Sequence, residues 1–382
     1  MCKPDVRGGI SGESGSAHSF GSDREAEKTG GPDIVRLPDQ VHKNDLTNAL
    51  SMKTAAELRT RVAQVGADFD DLALEVFRYQ AVHNSTYRSY LRLIGRQMEE
   101  VQAVSDIPFL PIQFFKSLEV RSGDWTAKET FTSSGTTGAT TARHPVRDTN
   151  FYLKNTERCF ELAYGRSPQE FCWLALLPSY LERSGSSLIL MAEHFIRHSR
   201  YGESGFFLYD HHALIDRLRH CREQKIPTVL LGVSFALLDL AERHPTDMSG
   251  VLIMETGGMK GRRREMTRGE LHTIFRERFR VGEIHSEYGM TELFSQAYSR
   301  GDGRFEARGP MRVQLRDPTD PLGQYAAGRT GALNIIDLAN VDTVSFIATD
   351  DLGRVFADGS FEVLGRMDAS DARGCNLLLY EV

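Results

Sequence analysis

Between Thr130 and about Tyr288, short apolar runs alternate with amphipathic segments. The runs over 171–177, 205–209, 228–231, 251–254 and 281–286 have strand length and strand composition. The segments over 149–164, 186–198, 213–223, 235–243 and 267–278 carry apolar residues at helical spacing. This alternation predicts an α/β layer with a mainly parallel sheet. Ahead of it, Phe69, Leu72, Val76, Phe77, Tyr87, Tyr90, Leu91 and Ile94 recur near a helical period, so 54–95 reads as helices. A proline-punctuated connector follows, from Ile107 to Lys116. After Gly301 the pattern changes to short runs over 332–336, 344–347, 354–356 and 361–364 with turn residues between them. These predict a small antiparallel β subdomain.

The first forty residues are rich in Gly, Ser and charge and poor in large apolar groups. They bury too little surface to offset the entropy of ordering, so 1–40 reads as a disordered arm. The expected organisation is this arm, an α/β core over 41–300, a β subdomain over 301–368 and a short tail over 369–382. At 382 residues the chain has room for two subdomains. The net charge of -6 gives no basic footprint for nucleic acid. The apolar runs are too short for a transmembrane segment, and the N-terminus lacks a signal-peptide core. The five cysteines (Cys2, Cys159, Cys172, Cys221 and Cys375) are dispersed without a C-x-x-C pair. That argues against a disulfide framework or zinc site and, with the missing signal, predicts a cytoplasmic protein.

Four stretches carry candidate chemistry. Phe131-Thr132-Ser133-Ser134-Gly135-Thr136-Thr137-Gly138 packs five hydroxyls and two glycines into eight residues. Glycines bring the backbone close to a ligand, and hydroxyls with bared N–H groups wrap phosphate oxygens. No Gly-Lys-Ser/Thr ending follows, so it is not a Walker A loop. The second is His285-Ser286-Glu287-Tyr288-Gly289-Met290-Thr291-Glu292, at the carboxyl end of an expected strand, where α/β sheets bind ligands. Its bland alternative is a strand-to-helix turn capped by Thr291. The third, Thr349-Asp350-Asp351-Leu352-Gly353, reads as a turn or as an acidic acceptor for ribose hydroxyls. The fourth is Gly365-Arg366-Met367-Asp368, followed by Arg373-Gly374-Cys375.

In order and spacing these motifs resemble the adenylate-forming superfamily, which includes acyl-CoA synthetases and peptide-synthetase adenylation domains. Tyr288-Gly289-Met290-Thr291-Glu292 matches that family's Tyr-Gly-x-Thr-Glu motif in full, and Gly365-Arg366-Met367-Asp368 matches its hinge motif. In the ribose motif, Asp350 stands where the family has glycine. The resemblance implies an adenylate-forming α/β domain of mainly parallel sheets with flanking helices, plus a small antiparallel β subdomain. It implies ATP and Mg²⁺, with Thr132, Ser133, Ser134, Gly135, Thr136, Thr137 and Gly138 on phosphate. Tyr288 and Gly289 would lie at the adenine, with Gly257 and Gly258 beside it. Asp351 would take the ribose, Arg366 the ribose or phosphate, Thr291 the α-phosphate and Glu292 the metal.

The family's usual catalytic lysine sits on a C-terminal lid. Here the sequence ends soon after the hinge motif and no lysine follows Lys260, so the full lid domain is not expected. Arg143, Lys260 or Lys116 then becomes the replacement cation, or a partner supplies it, or adenylation is slow. The short end, together with Phe114-Phe115-Lys116-Ser117 and the near-terminal Cys375, looks like the acyl-protein synthetases, also called long-chain-fatty-acid–luciferin-component ligases. That resemblance implies a long-chain fatty acid substrate and acyl transfer to Cys375. It implies a reductase partner that takes the acyl group and a thioesterase partner that provides the acid. Activation of an aromatic acid, acyl transfer to CoA and nucleotide binding without chemistry remain open alternatives. Leu231-Gly232-Val233-Ser234-Phe235-Ala236 comes close to a hydrolase nucleophile elbow but lacks the last glycine, and Ser234 reads more simply as a helix cap. His194, His211, His212 and His285 lack metal-ligand spacing and read as structural or surface residues.

Overall fold

A computed structural model describes residues 53–133, 141–178, 185–258, 266–320, 322–323 and 325–367. The expected arm over 1–40 and the tail over 369–382 lie outside the described residues. Among the described residues three helices come first: α1 (Ala55–Val62), α2 (Phe69–His83) and α3 (Ser85–Leu93). A short strand β1 (Leu110–Pro111) and helix α4 (Phe114–Ser117) lead into a separate hairpin, β2 (Glu129–Thr132) with β3 (Arg143–Val146). The alternating region runs α5 (Thr149–Tyr164), β4 (Cys172–Leu176), α6 (Ser187–His198), β5 (Gly205–Phe206), α7 (His211–Glu223), β6 (Thr228–Val233), α8 (Ser234–Arg243), β7 (Val251–Thr256), α9 (Arg268–Phe279) and β8 (His285–Tyr288). Then come β9 (Ala297–Ser299), β10 (Arg304–Glu306), β11 (Met311–Arg316), β12 (Thr330–Asp337), β13 (Phe346–Val355) and β14 (Phe361–Arg366).

One large sheet holds these strands in the order β11-β12-β13-β14-β10-β9-β8-β7-β6-β4-β5, with β1 beside β13. The pairs from β5 to β8 are parallel, and those from β8 to β11 are antiparallel. Antiparallel pairing thus begins at β9, ahead of Gly301, and continues from the parallel half without a break. The fold class expected from the sequence is the one observed: helices over a large sheet whose α/β half is parallel.

The physical reason is visible in the strands. Every residue of β4 and β6 is buried, as a parallel strand covered on both faces requires. On one face, Phe160 of α5 packs on Trp173 of β4 and Tyr298 of β9. On the other, α9 brings Arg268 to Glu255 of β7. α5 starts where Asp148 accepts a hydrogen bond from the N–H of Asn150 and stops at Gly165, whose φ of 67° suits the left-handed cap.

Two expectations change here. The runs over 344–347 and 354–356 are ends of a single strand, β13, so Thr349-Asp350-Asp351-Leu352-Gly353 is extended backbone and not a turn. Gly353 serves the close approach of β14: a Cβ there would lie 2.2 Å from the carbonyl of Glu362. Among the described residues, no helix is long and apolar enough to cross a membrane.

Candidate active site

Tyr288 ends β8, and Asp351 lies within β13. Both are buried, and the Tyr288 hydroxyl donates to Asp351 Oδ2 at 2.7 Å. Arg366 Nε, from the end of β14, donates to Asp351 Oδ1 at 3.1 Å. The Asp351 N–H donates to Thr349 Oγ1 at 3.2 Å. The Tyr288 ring lies against Phe305 and Phe361, at 5.7 and 5.4 Å between centroids. Burial, then the Asp351 charge, pushes the Tyr288 phenol well above its ordinary pKa, so it stays a donor. Three residues that the resemblance assigned to one nucleotide therefore converge from three strands.

The turn after β8 carries Gly289, Thr291 and Glu292. No helix follows, so Thr291 does not cap one; the chain returns as β9. Long-range polar bonds hold the turn instead. Asp337 Oδ2 accepts from the N–H groups of Phe294 and Ser295, each at 2.8 Å, and Asp337 Oδ1 accepts from Ser295 Oγ at 2.6 Å. Asn340 Nδ2 donates to the Glu292 carbonyl at 2.8 Å, and Asn155 Nδ2 donates to the Phe294 carbonyl at 3.0 Å. The Glu292 carboxyl is buried, and burial raises its pKa to about 7 against the opposing pull of Arg366 and Lys116. A buried carboxylate opposed by its own desolvation favours a cation. Among the described residues, no group of three or more His, Cys, Asp or Glu side chains is arranged as a metal cage. A single carboxylate fits Mg²⁺, which is usually bound through one or two carboxylates plus substrate phosphates.

The β2–β3 hairpin carries Thr132 and Ser133, the described start of the hydroxyl-rich stretch. Thr132 ends β2 opposite Arg143 of β3. The Ser133 N–H donates to the Ala142 carbonyl at 3.1 Å, and the Ala142 N–H returns a bond to Ser133 Oγ at 2.9 Å, closing the base. Ser134, Gly135, Thr136, Thr137 and Gly138 lie outside the described residues, as do Lys260 and Cys375. Arg143 is exposed and makes no ion pair among the described residues. Lys116 is exposed on α4, near enough to act on Glu292.

His144 of β3, which sequence reasoning passed over, joins the hairpin to the turn. Its Nδ1 is 2.9 Å from the Thr291 carbonyl, and its Nε2 is 2.9 Å from Thr343 Oγ1. A carbonyl only accepts, so Nδ1 carries the hydrogen and Nε2 accepts from Thr343. Burial lowers the His144 pKa to about 4, so the ring is neutral, and it stacks on Phe294 at 4.8 Å. The signals for such residues were polar side chains inside apolar stretches, as with Asn334 and Asp337 in β12.

Gly257 and Gly258 follow β7 and are exposed; Gly257 has a φ of 71°. Ser234 is the first residue of α8 and makes no cap bond. Its hydroxyl instead donates to Glu255 Oε2 at 2.8 Å, with the Gly257 carbonyl at 3.1 Å. Glu255 also accepts from Ser286 Oγ at 2.8 Å and Arg268 Nε at 3.0 Å. This geometry supplies a buried acid where a hydrolase serine needs a base. His285 meets the Tyr164 hydroxyl at 3.1 Å, His194 meets Glu157 at 2.9 Å, and His211 and His212 pack on His244.

No protein-family model and no curated protein matches the sequence. Solved structures do resemble the fold. A 2-hydroxyisobutyryl-CoA ligase in complex with 2-HIB-AMP and CoA, in the thioesterification state, aligns with a TM-score of 0.59 at 14% identity, over 84% of this chain and 73% of its own. The open conformation of that ligase aligns with a TM-score of 0.58 at 13% identity, over 78% and 70%. ATP-bound MatB from Rhodopseudomonas palustris aligns with a TM-score of 0.47 at 17% identity, over 62% of this chain and 47% of its own. The chain thus spans about half the length of MatB. The likeness to the ligase establishes a shared fold, the one expected from the sequence.

Proposed function

We propose that the protein uses ATP to activate a carboxylic acid as an acyl adenylate, releasing pyrophosphate, and passes the acyl group to a thiol as a thioester, releasing AMP. The observation that carries this reading is the convergence of Tyr288, Asp351 and Arg366, from three strands, beside Glu292 on the turn after β8. Tyr288 offers a ring face for adenine, and Asp351 accepts ribose hydroxyls. Arg366 neutralises phosphate or holds the ribose. Gly257, Gly258 and Gly289 let backbone approach the base.

Adenylation brings two anions together, so the site has to cancel charge. Glu292 would hold Mg²⁺, which supplies electrostatic neutralisation of the phosphates. Thr291 bonds the α-phosphate. Thr132 and Ser133, with the hydroxyl-rich residues that follow, grip the leaving pyrophosphate. Lys116, Arg143 and Lys260 are the proposed supply of positive charge beside it.

The proposed acid is a long-chain fatty acid, and the proposed thiol is Cys375, which would hand the acyl group to a reductase. The experiment incubates the protein with ATP and labelled acids. Covalent label that Cys375→Ser removes supports this acceptor. An acyl-CoA product without protein label assigns the thiol to CoA, and absence of AMP release with every acid contradicts the reading.

A further inference from the structure

We infer that Glu287, Gln296 and Tyr298 form a polar recognition wall for the acid, and that this acid carries a hydroxyl or amino group directed at them. The inference rests on the adenylation reading and deepens it to a substrate class, narrowing the fatty acid to one so substituted.

Glu287 of β8 and Tyr298 of β9 are direct partners across the antiparallel ladder. They point to the sheet face opposite Tyr288 and Asp351, because successive strand residues alternate. Gln296 precedes Tyr298 by two positions and shares that side. The backbone over the wall is Gly289: a Cβ there would lie 2.5 Å from Glu287 Oε1 and 3.6 Å from Gln296 Cγ. Thr256, at the end of β7, donates its hydroxyl to Glu287 Oε2.

All three wall residues are buried, with 7%, 5% and 2% exposure for Glu287, Gln296 and Tyr298. Yet among the described residues Gln296 Oε1 and the Tyr298 hydroxyl have no hydrogen-bond partner. Buried polar atoms in folded proteins are nearly always paired, so two orphans beside a buried carboxyl call for a partner from outside the chain. Burial, together with the Glu255 charge, holds the Glu287 carboxyl near a pKa of about 7. On one side of the β8–β9 ladder the wall therefore offers a carboxyl, an amide oxygen and a phenol, the last two without a partner among the described residues. Glu287 and Gln296 Oε1 accept, while the Tyr298 phenol, which burial keeps protonated, also donates. A hydroxyl completes the set by donating and accepting, and an amine completes its two acceptors.

The location fits an acid rather than a nucleotide. The wall lies at the carboxyl ends of β7 and β8, the edge at which α/β sheets bind ligands. Tyr288, one residue on, presents the nucleotide side to the other face. An acyl adenylate reaching around this edge puts its acyl end beside Glu287. A plain alkyl chain would leave the wall unpaired, and sites built to hydrogen-bond a substrate group reject analogues that lack it.

The test is acid-dependent ATP–pyrophosphate exchange with pairs of acids of equal length, one carrying a hydroxyl or amino group and one unsubstituted. The substituted acid of at least one pair is expected to exceed its partner by about a hundredfold or more in kcat/KM. Tyr298→Phe and Glu287→Gln are each expected to cut that ratio by about tenfold. Tyr298→Phe removes one oxygen that has no partner among the described residues, so its melting temperature is expected to match the parent's. Unsubstituted acids used equally or better in every pair overturn the wall, as does a ratio unchanged in both variants. In those outcomes exchange itself persists, so the adenylation reading stands. Absence of exchange with every acid contradicts that reading, and the wall with it.

Discussion

The hydroxyl of Tyr288 donates to Asp351 at 2.7 Å across 63 positions of sequence. Arg366 holds the other carboxylate oxygen. Asp351→Asn removes the charge that both partners address and leaves Arg366 without its anion. ATP affinity is expected to fall by roughly 10- to 100-fold, the effect of one charged hydrogen bond lost. Calorimetric titration of each variant checks it. Tyr288→Phe keeps the ring and is expected to lose less, about 1 kcal/mol.

Glu292 has a folded pKa raised to about 7 from an ordinary 4.5. The unfolded chain releases this proton first, so Glu292 favours the fold below about pH 4.5 and loses that contribution as pH rises through about 7. Cation binding needs the carboxylate. Mg²⁺-supported turnover is therefore expected to rise through about pH 7, falling roughly tenfold per unit well below it. Glu292→Gln should abolish this limb of the pH profile. A limb that persists in the variant assigns it to another group.

His144 has the opposite sign. Its folded pKa lies near 4, below the ordinary 6.5. The stability it contributes is present above about pH 6.5 and is lost as pH falls through about 4. His144→Phe fills the space but leaves the Thr291 carbonyl unpaired, at ~1–3 kcal/mol, and the Thr343 hydroxyl with only the Asn340 carbonyl at 3.5 Å. His144→Asn keeps a donor and should recover part of that loss. Urea denaturation of both variants at neutral pH decides it; equal stability would remove His144 from its bridging role.

Glu255 is a buried acid lowered to about 2 despite its desolvation, chiefly through His272 and Arg268. Its contribution is present above about pH 4.5 and is lost toward pH 2. Glu255→Gln breaks the buried pair and is expected to cost about 3–5 kcal/mol. Ser234→Ala removes one of several bonds to Glu255 and is expected to cost about 1–2 kcal/mol. Chemical denaturation at pH 7 measures both. A near-neutral Glu255→Gln would mean that the cluster adds nothing net.

The parts legible in the sequence were those set by local pattern. The period of α5 and the apolar runs of β4, β6 and β7 identified their elements because burial on both faces leaves little freedom in composition. The motif around Tyr288 identified the strand edge on which the candidate site lies. What sequence reading missed depends on partners far along the chain. Ser234 looked like a cap because its acceptor, Glu255, is 21 positions away. Asp337, His144 and Asn340 hold the Glu292 turn through bonds that no local pattern announces. Thr349-Asp350-Asp351-Leu352-Gly353 has turn chemistry, yet Gly353 serves contact with β14.

The central claim is that Tyr288, Asp351, Arg366 and Glu292 form the nucleotide side of an adenylating site. Its most direct test is ATP–pyrophosphate exchange over a panel of carboxylic acids, with the parent protein beside Asp351→Asn and Glu292→Gln. The account predicts exchange that requires an acid and Mg²⁺ and falls by about 100-fold or more in Glu292→Gln. Acid-independent exchange, or acid-dependent exchange that both variants retain at the parent's rate, would contradict it.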